Sequence, residues 1–303
     1  MRLLLTGGTG FVGTALRETL TQKGHEVVIL TRQASRENQP GIRTRYAYWN
    51  PPGGGAWERE LDGVDGVINL AGEPIVRKRW TAEQKQKIEG SRAGATRAIV
   101  EAIRGSKRKP FFLINASAVG YYGPHENEEL TEESPAGKDY LAQTCQKWEM
   151  EALRAETLGI RVVRLRIGIV LEKGGGALAK MLPPFQLGLG GPLGSGRQWM
   201  SWIHREDLTG LILWAIEKKE IRGALNATAP VPVTMKEFAG TLGRALHRPA
   251  IFPVPEFVVK FLLGEMSEML LKGQRVLPKR ALSSGYSFQF PKLEQAFQGI
   301  LAQ

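Results

Sequence analysis

The chain has 303 residues, a hydrophobic fraction of 42% and a charged fraction of 23%, which is the composition of a folded globular protein and excludes a disordered or low-complexity chain. The single cysteine, Cys145, excludes an internal disulfide and a cysteine-based metal site and points to a reducing compartment, the cytoplasm or an organelle interior after removal of a transit segment. The formal net charge of +11 is spread over short groups such as Arg77 to Arg79 and Lys107 to Lys109, so an anionic cofactor or substrate is expected in place of specific nucleic-acid binding, and no apolar run reaches the roughly 18 residues of a membrane span.

Short apolar runs alternate with amphipathic stretches from the start: RLLLTG, ALRETLTQKG, EVVILTR, RYAYWN and GVINLAG. This is the βαβ rhythm of a parallel sheet. TAEQKQKIEGSRAGATRAIVEAIRGS predicts a long helical region, acidic early and basic late in accord with the helix dipole. FFLINASAV predicts a buried strand, CQKWEMEALRAETLG a helix, and RVVRLRIGIVL another strand. The glycine and proline content from Gly174 onward breaks any period and predicts a crossover. The fold class is α/β, a Rossmann-type doubly wound parallel sheet with a smaller, mostly helical C-terminal lobe. Residues 1–230 form the dinucleotide-binding domain, with part of 171–200 crossing over, and 231–303 form the lobe. One continuous domain with a decorated end is the alternative.

TGGTGFVG directly follows a strand and directly precedes a helix, the context that makes a GxGxxG pattern a dinucleotide site. Gly7 permits the tight turn, Gly10 lets the backbone approach a pyrophosphate, and Gly13 lets helix and strand pack closely. Thr9, Phe11 and Val12 complete the loop, the last two supplying unpaired backbone N–H groups. Where NAD-binding proteins carry an acid for the ribose 2′-OH, the second strand ends in Thr31 and Arg32. An arginine there pairs with a 2′-phosphate, which favours NADP over NAD. Leu70, Ala71 and Gly72 end the GVINLAG strand with backbone free to pass along the cofactor ribose.

TGGTGFVG, the NLAG strand end, NASAVGYYG and SWIHREDL together resemble the extended short-chain dehydrogenase/reductase superfamily of nucleotide-sugar epimerases and dehydratases. LAGEPIVRKRW, WEMEA, MLPPFQLGLGGPLGSGRQ and GQRVLPKRALSSGYSFQFP resemble, more narrowly, an epimerase-like atypical branch with a small C-terminal domain of uncharacterised function. The resemblance implies NADP binding and no settled substrate, and some relatives are labelled cell-division inhibitors. It also implies a catalytic Ser or Thr, a Tyr, and a Lys four residues after it that lowers the tyrosine pKa. Tyr140 is followed at that spacing by Thr144, and anchoring on the Trp148–Glu149 pair puts Leu141 and Cys145 at the two positions. Neither register has the lysine. Counting back from Tyr121 places the serine at Ser117, and counting from Tyr122 places it at Ala118; Ser117 with Tyr121 is the provisional catalytic set.

The resemblance further assigns Arg92 to the cofactor, on its diphosphate or 2′-phosphate side, and the Val170 backbone to the nicotinamide carboxamide. Met200 stands where sugar epimerases carry a diphosphate-clamping arginine, with Trp199 and Trp202 beside it, which argues against a UDP- or GDP-sugar. His204 is structural in such relatives, bonding near Asp207. Two functions follow: an NADP-dependent oxidoreductase or epimerase acting on a small molecule between the lobes, or a catalytically weak NADP-sensing regulator read by a protein partner. Analogy with relatives suggests a homodimer.

Overall fold

The computed structural model describes residues 1–33, 43–76 and 78–302. Its centre is a seven-stranded sheet of β1 (Arg2–Thr6), β2 (Glu26–Thr31), β3 (Thr44–Tyr48), β4 (Gly66–Asn69), β5 (Phe112–Ala118), β6 (Arg161–Ile167) and β7 (Gly223–Ala227), in the spatial order β7-β6-β5-β4-β1-β2-β3. Every pairing is parallel. The chain starts at β1, runs outward to β3, returns to β4 and runs outward the other way. That reversal between β1 and β4 is the switch point where open α/β sheets bind ligands.

The inner strands are almost wholly apolar because helices cover both faces. Leu3, Leu5 and Ile29 pack with Leu16 and Leu20 of the Phe11–Gln22 helix and with Leu208, Leu211 and Ile212 of the Arg205–Glu217 helix. On the other face Leu4, Val67 and Leu113 meet Ile99, Val100 and Ile103 of the Ala95–Gly105 helix. The expected strand RVVRLRIGIVL is divided at Gly168. Residues Arg161–Ile167 stay in the sheet, whereas Ile169–Leu171 pairs with Trp202–His204. A Cβ on Gly168 would stand 2.5 Å from the Ser201 carbonyl oxygen, so the strand turns off where two backbones meet.

Another core joins Leu178 and Phe185 of the crossover helix Gly176–Gln186 to Trp202, to Phe238 of the Met235–Ala245 helix and to Phe297 of the Leu293–Leu301 helix. The C-terminal segment also returns to the main body. Arg275–Val276 pairs with Glu129–Leu130, Ala281 lies in the first core, and Tyr286 packs edge-on against Trp214.

His204 caps the Arg205–Glu217 helix. Its Nδ1 accepts the Glu206 N–H at 3.2 Å and its ring lies 3.9 Å from that of Phe290. Asp207 accepts the N–H groups of Gln289 and Phe290 at 2.7 and 2.9 Å, so the two residues secure the same junction without bonding each other. Burial pulls the His204 pKa from 6.5 down to about 4. Between those values the unfolded chain binds a proton that the folded chain refuses, so stability rises with pH there. Stability is therefore expected to fall by about 2–3 kcal/mol between about pH 6.5 and about pH 4 through this group. Urea unfolding of wild type and His204→Asn, whose amide keeps a capping acceptor, checks this: the two curves should diverge across that range, and parallel curves contradict it.

Candidate cofactor and active site

Gly7 has φ +67°, and the Gly10 N–H donates to the Gly7 carbonyl at 2.9 Å, closing the turn after β1. A Cβ on Gly7 would lie 2.6 Å from the Leu70 oxygen, and one on Gly13 would lie 2.1 Å from the Gly7 oxygen and 2.7 Å from Gly8 Cα. Both contacts are with backbone, so neither position admits a side chain. Gly10 differs. Its backbone is extended (φ −86°, ψ 179°), and it caps the Phe11–Gln22 helix with no side-chain hydrogen bond. Exposed Gly10 and Thr9 thus leave the Phe11 and Val12 amides facing outward at the positive end of the helix, an arrangement that fits a dinucleotide diphosphate. Gly175 and Gly176 press on the Phe11 ring, and the Cβ position of Gly176 is 3.1 Å from the Val170 oxygen. Val170 is thereby brought beside the glycine loop.

A buried polar chain fixes the strand ends under this loop. The Thr6 hydroxyl donates to Asn69 Oδ1 at 2.6 Å, and Asn69 Nδ2 donates to Asn115 Oδ1 at 2.6 Å and to Thr96 Oγ1 at 2.8 Å. Trp148 Nε1 donates to the same Thr96 oxygen at 2.9 Å. The Ala71 N–H is drawn to Thr6 Oγ1 at 3.2 Å, which sets the path of Leu70, Ala71 and Gly72. Asn69 aligns with Asn115 in the register of the adjacent strands β4 and β5, which brings the two amides together. At the end of β2, Thr31 is buried and accepts the Gln33 N–H at 3.2 Å, while Arg32 is exposed.

Ser117 faces inward. Its hydroxyl donates to Glu149 at 2.8 Å, because alternation along β5 puts Leu113, Asn115 and Ser117 on the face covered by the Tyr140–Leu153 helix. Glu149 also accepts both Arg166 Nε and Nη2 at 2.8 and 3.0 Å and Arg164 Nη1 at 2.8 Å. Arg166 in turn donates to the Tyr122 hydroxyl at 3.0 Å and lies 3.4 Å from the centre of the Tyr121 ring. Ser117 and Tyr121 are therefore joined through Glu149 and Arg166, with no hydrogen bond between them. Burial opposes the Arg166 charge, but the paired contact with Glu149 outweighs it and holds the guanidinium above its ordinary pKa. Burial pushes the Tyr122 phenol up to about 12, and its hydroxyl donates to Asn226 at 2.6 Å. Tyr122 is thus a fixed structural phenol.

Tyr140 opens its helix and donates to the Lys85 carbonyl at 3.1 Å, edge-on to Trp80. Leu141 packs beside Gly120. Burial pushes the Cys145 thiol up to about 12, so this side chain stays neutral. Met200 pairs with Val233 and packs against the core around Trp202 and Phe238. Trp202 is fully buried, with Nε1 donating to the Val231 carbonyl, so it packs in the core and not at a surface. Trp199 is half-buried, held by Asn127 at 3.0 Å and covered by Arg275. Among the described residues no group of His, Cys, Asp and Glu could hold a metal ion, and no helix is long and apolar enough to cross a membrane.

The strand order and the glycine cradle at the switch point define a Rossmann-type dinucleotide-binding fold. The model of the NAD dependent epimerase/dehydratase family matches residues 3–227, and the chain belongs to that family, within the extended short-chain dehydrogenase/reductase group. Residues 254–300 match a domain of unknown function, DUF1731. The epimerase family protein YfhF of Bacillus subtilis is 45% identical over 100% of this chain and 98% of its own length. The chloroplastic SDR39U1 homolog of Arabidopsis thaliana is 43% identical over 99% of this chain and 87% of its own. The crystal structure of human SDR39U1 (isoform 2) with NADPH superposes with a TM-score of 0.88 at 38% identity, covering 100% of both chains. MoeE5 in complex with UDP-glucose and NAD, at 18% identity and a TM-score of 0.79, shares the fold.

Proposed function

We propose that this protein is an NADPH-binding, epimerase-like oxidoreductase of small molecules that works without a Tyr–Lys pair. The observation that carries it is the uncapped helix end at Gly10, seated at the switch point between β1 and β4. The human relative crystallised with NADPH supports the same cofactor. Gly7, Thr9, Gly10, Phe11, Val12 and Gly13 would hold the diphosphate, Leu70, Ala71 and Gly72 the ribose, and Val170 the nicotinamide. Thr31 and Arg32 select the 2′-phosphate over the 2′-OH of NAD. NADPH supplies a hydride when bound. The proton comes from Tyr121, held by Arg166 against its ring, or from water. Ser117 orients this region through Glu149.

Two measurements test this. NADPH mixed with the protein and panels of sugars, aldehydes and quinones should lose its reduced-nicotinamide absorbance with one carbonyl class. Arg32→Ala should weaken NADPH about 10- to 100-fold and NADH by less than about threefold in calorimetric titration, since only the 2′-phosphate meets its guanidinium. Equal losses for both cofactors contradict the assignment of Arg32. A regulatory role is favoured by Leu141 and the neutral Cys145 at the usual catalytic positions. In that case NADPH binds, no carbonyl class is turned over, and a protein partner reads the lobe arrangement, with cell division as the process some relatives' labels suggest.

A further inference from the structure

A helix on the surface of a globular protein turns its polar side to water, and one that is apolar around most of its circumference is normally covered. The Glu256–Leu263 helix, EFVVKFLL, has charges only at Glu256 and Lys260, yet Val259 is its one buried residue. Phe257 is 73% exposed and Phe261, one turn later, is 80% exposed. The apolar surface continues beyond the helix. Leu187, Leu189, Ile251 and Phe252 are exposed as well, and their two segments run side by side. The Phe252 N–H donates to the Gly190 carbonyl at 3.2 Å and the Val254 N–H to the Pro192 carbonyl at 2.9 Å. With Leu262, seven of the thirteen exposed large apolar side chains among the described residues lie in these two segments and the helix that follows. At about 200 Å² for a large side chain, seven that are half to four-fifths exposed leave roughly 800 Å² of apolar surface. That exceeds the ~300–600 Å² of the largest patch on a typical monomer and matches the ~800 Å² that each partner of a standard interface buries.

The charges around this face say what covers it. Lys260 pairs with Glu256 at 2.6 Å, Lys272 with Glu268 at 3.3 Å and Lys85 with Glu265 at 2.6 Å. These cations are matched, so they do not draw the helix to an anionic lipid surface as an unmatched basic face would. The helix is also self-complementary. Phe257 and Phe261 stand one turn apart on one side, and Glu256 and Lys260, of opposite sign, stand one turn apart on its flank. When two copies lie antiparallel about a twofold axis, Phe257 of each meets Phe261 of the other, and Glu256 of each lies toward Lys260 of the other. The outward sides of the Ala95–Gly105 and Tyr140–Leu153 helices are instead occupied by ion pairs within the chain, Arg97 with Glu151, Arg154 with Glu101 and Lys147 with Glu89. We propose that the protein is a homodimer joined through the Glu256–Leu263 helix and the adjoining apolar segments, the second copy of this chain covering the face. Arg79, which donates to the Phe261 and Leu262 carbonyls at 2.9 Å, fixes that face to the segment after β4.

The test is sedimentation equilibrium of the full chain between about 1 and about 100 μM. Wild type should be a dimer with a dissociation constant of about 10 μM or below. The double variant Phe257→Ser, Phe261→Ser should weaken it about 100-fold or more, with an unchanged melting curve because neither ring is buried. Glu256→Lys and Lys260→Glu should each weaken the dimer about two- to fivefold by setting like charges together. An equimolar mixture of those two variants should associate more tightly than either alone, since lysines then face glutamates at both positions. Should the phenylalanine variant melt below wild type, this mixture, which leaves the apolar face intact, decides the matter. The proposal is overturned if wild type is a monomer at the highest concentration, if the phenylalanine variant dimerises as wild type does, or if the mixture associates no better than its components. It is equally overturned if wild type, and not the phenylalanine variant, floats with vesicles of phosphatidylcholine and about 30% phosphatidylserine, which would make the face a membrane contact.

Discussion

Gly10→Asp is expected to leave the fold intact and to abolish NADPH binding. Gly10 has ordinary extended backbone at a helix N-cap, and an added Cβ meets only the Gly7 carbonyl oxygen at 3.2 Å. Aspartate is a favoured N-cap, so stability should stay within about 0.5 kcal/mol of wild type or rise slightly. The new carboxylate would accept the N–H groups that a diphosphate needs and place its charge against that of the ligand. A loss of about 100-fold or more in affinity, about 2.7 kcal/mol, is expected. Gly13→Ala should behave differently, because its Cβ would sit 2.1 Å from the Gly7 oxygen. Backbone must move there, with a destabilisation of about 1–3 kcal/mol or more accompanying the loss of binding. Thermal melting and NADPH titration of both variants separate the cases; a Gly10→Asp protein that binds NADPH normally would contradict the diphosphate assignment.

Glu149→Leu is expected to destabilise the fold by about 3–5 kcal/mol, because it strands two arginines around a buried site. Glu149 is 2% exposed and Arg166 is 2% exposed, so little water is at hand to replace the lost carboxylate. Adding Arg166→Met should recover much of the loss, since an apolar pair of similar volume removes the desolvation penalty along with the attraction. Ser117→Ala should lose only about 1 kcal/mol, one hydrogen bond to a carboxylate that keeps its arginine partners. Urea unfolding of the single and double variants measures this. A Glu149→Leu loss below about 1 kcal/mol would mean that the cluster does not hold the β5–β6 strand ends.

The glycine cradle was legible in the sequence because its requirements are local. A strand, three spaced glycines and a helix fix where backbone must approach backbone, and Gly7 and Gly13 meet Leu70 and Gly7 as that pattern demands. The alternating strands and long helix were legible for the same reason, since period and capping are carried by neighbouring residues. The buried polar chain was not. Thr6, Asn69, Thr96, Asn115 and Trp148 come together only after five elements have packed, and nothing near Asn69 in the chain distinguishes it from a solvated strand end. The break at Gly168 depends on Ser201 in a later segment. The direction of Ser117 was equally hidden, because the twofold alternation of a strand says that two faces exist and not which one holds Glu149. The surroundings of Met200 and Trp202 were hidden too, because motif alignment locates a residue along the chain, whereas the pairing with Val233 and the bond to Val231 depend on a later segment. Arg92 shows the same limit: a helix pattern gives no sign of the π-helical turn at Gly90–Gly94 in which it lies.

The most direct measurement is a calorimetric titration of NADPH and NADH into the wild-type protein. The proposed function predicts one NADPH site per chain, with NADH at least about tenfold weaker for want of a 2′-phosphate to meet Arg32. Absence of NADPH binding, or tighter binding of NADH, would contradict the account of Gly7, Gly10, Gly13 and Arg32 as an NADPH cradle.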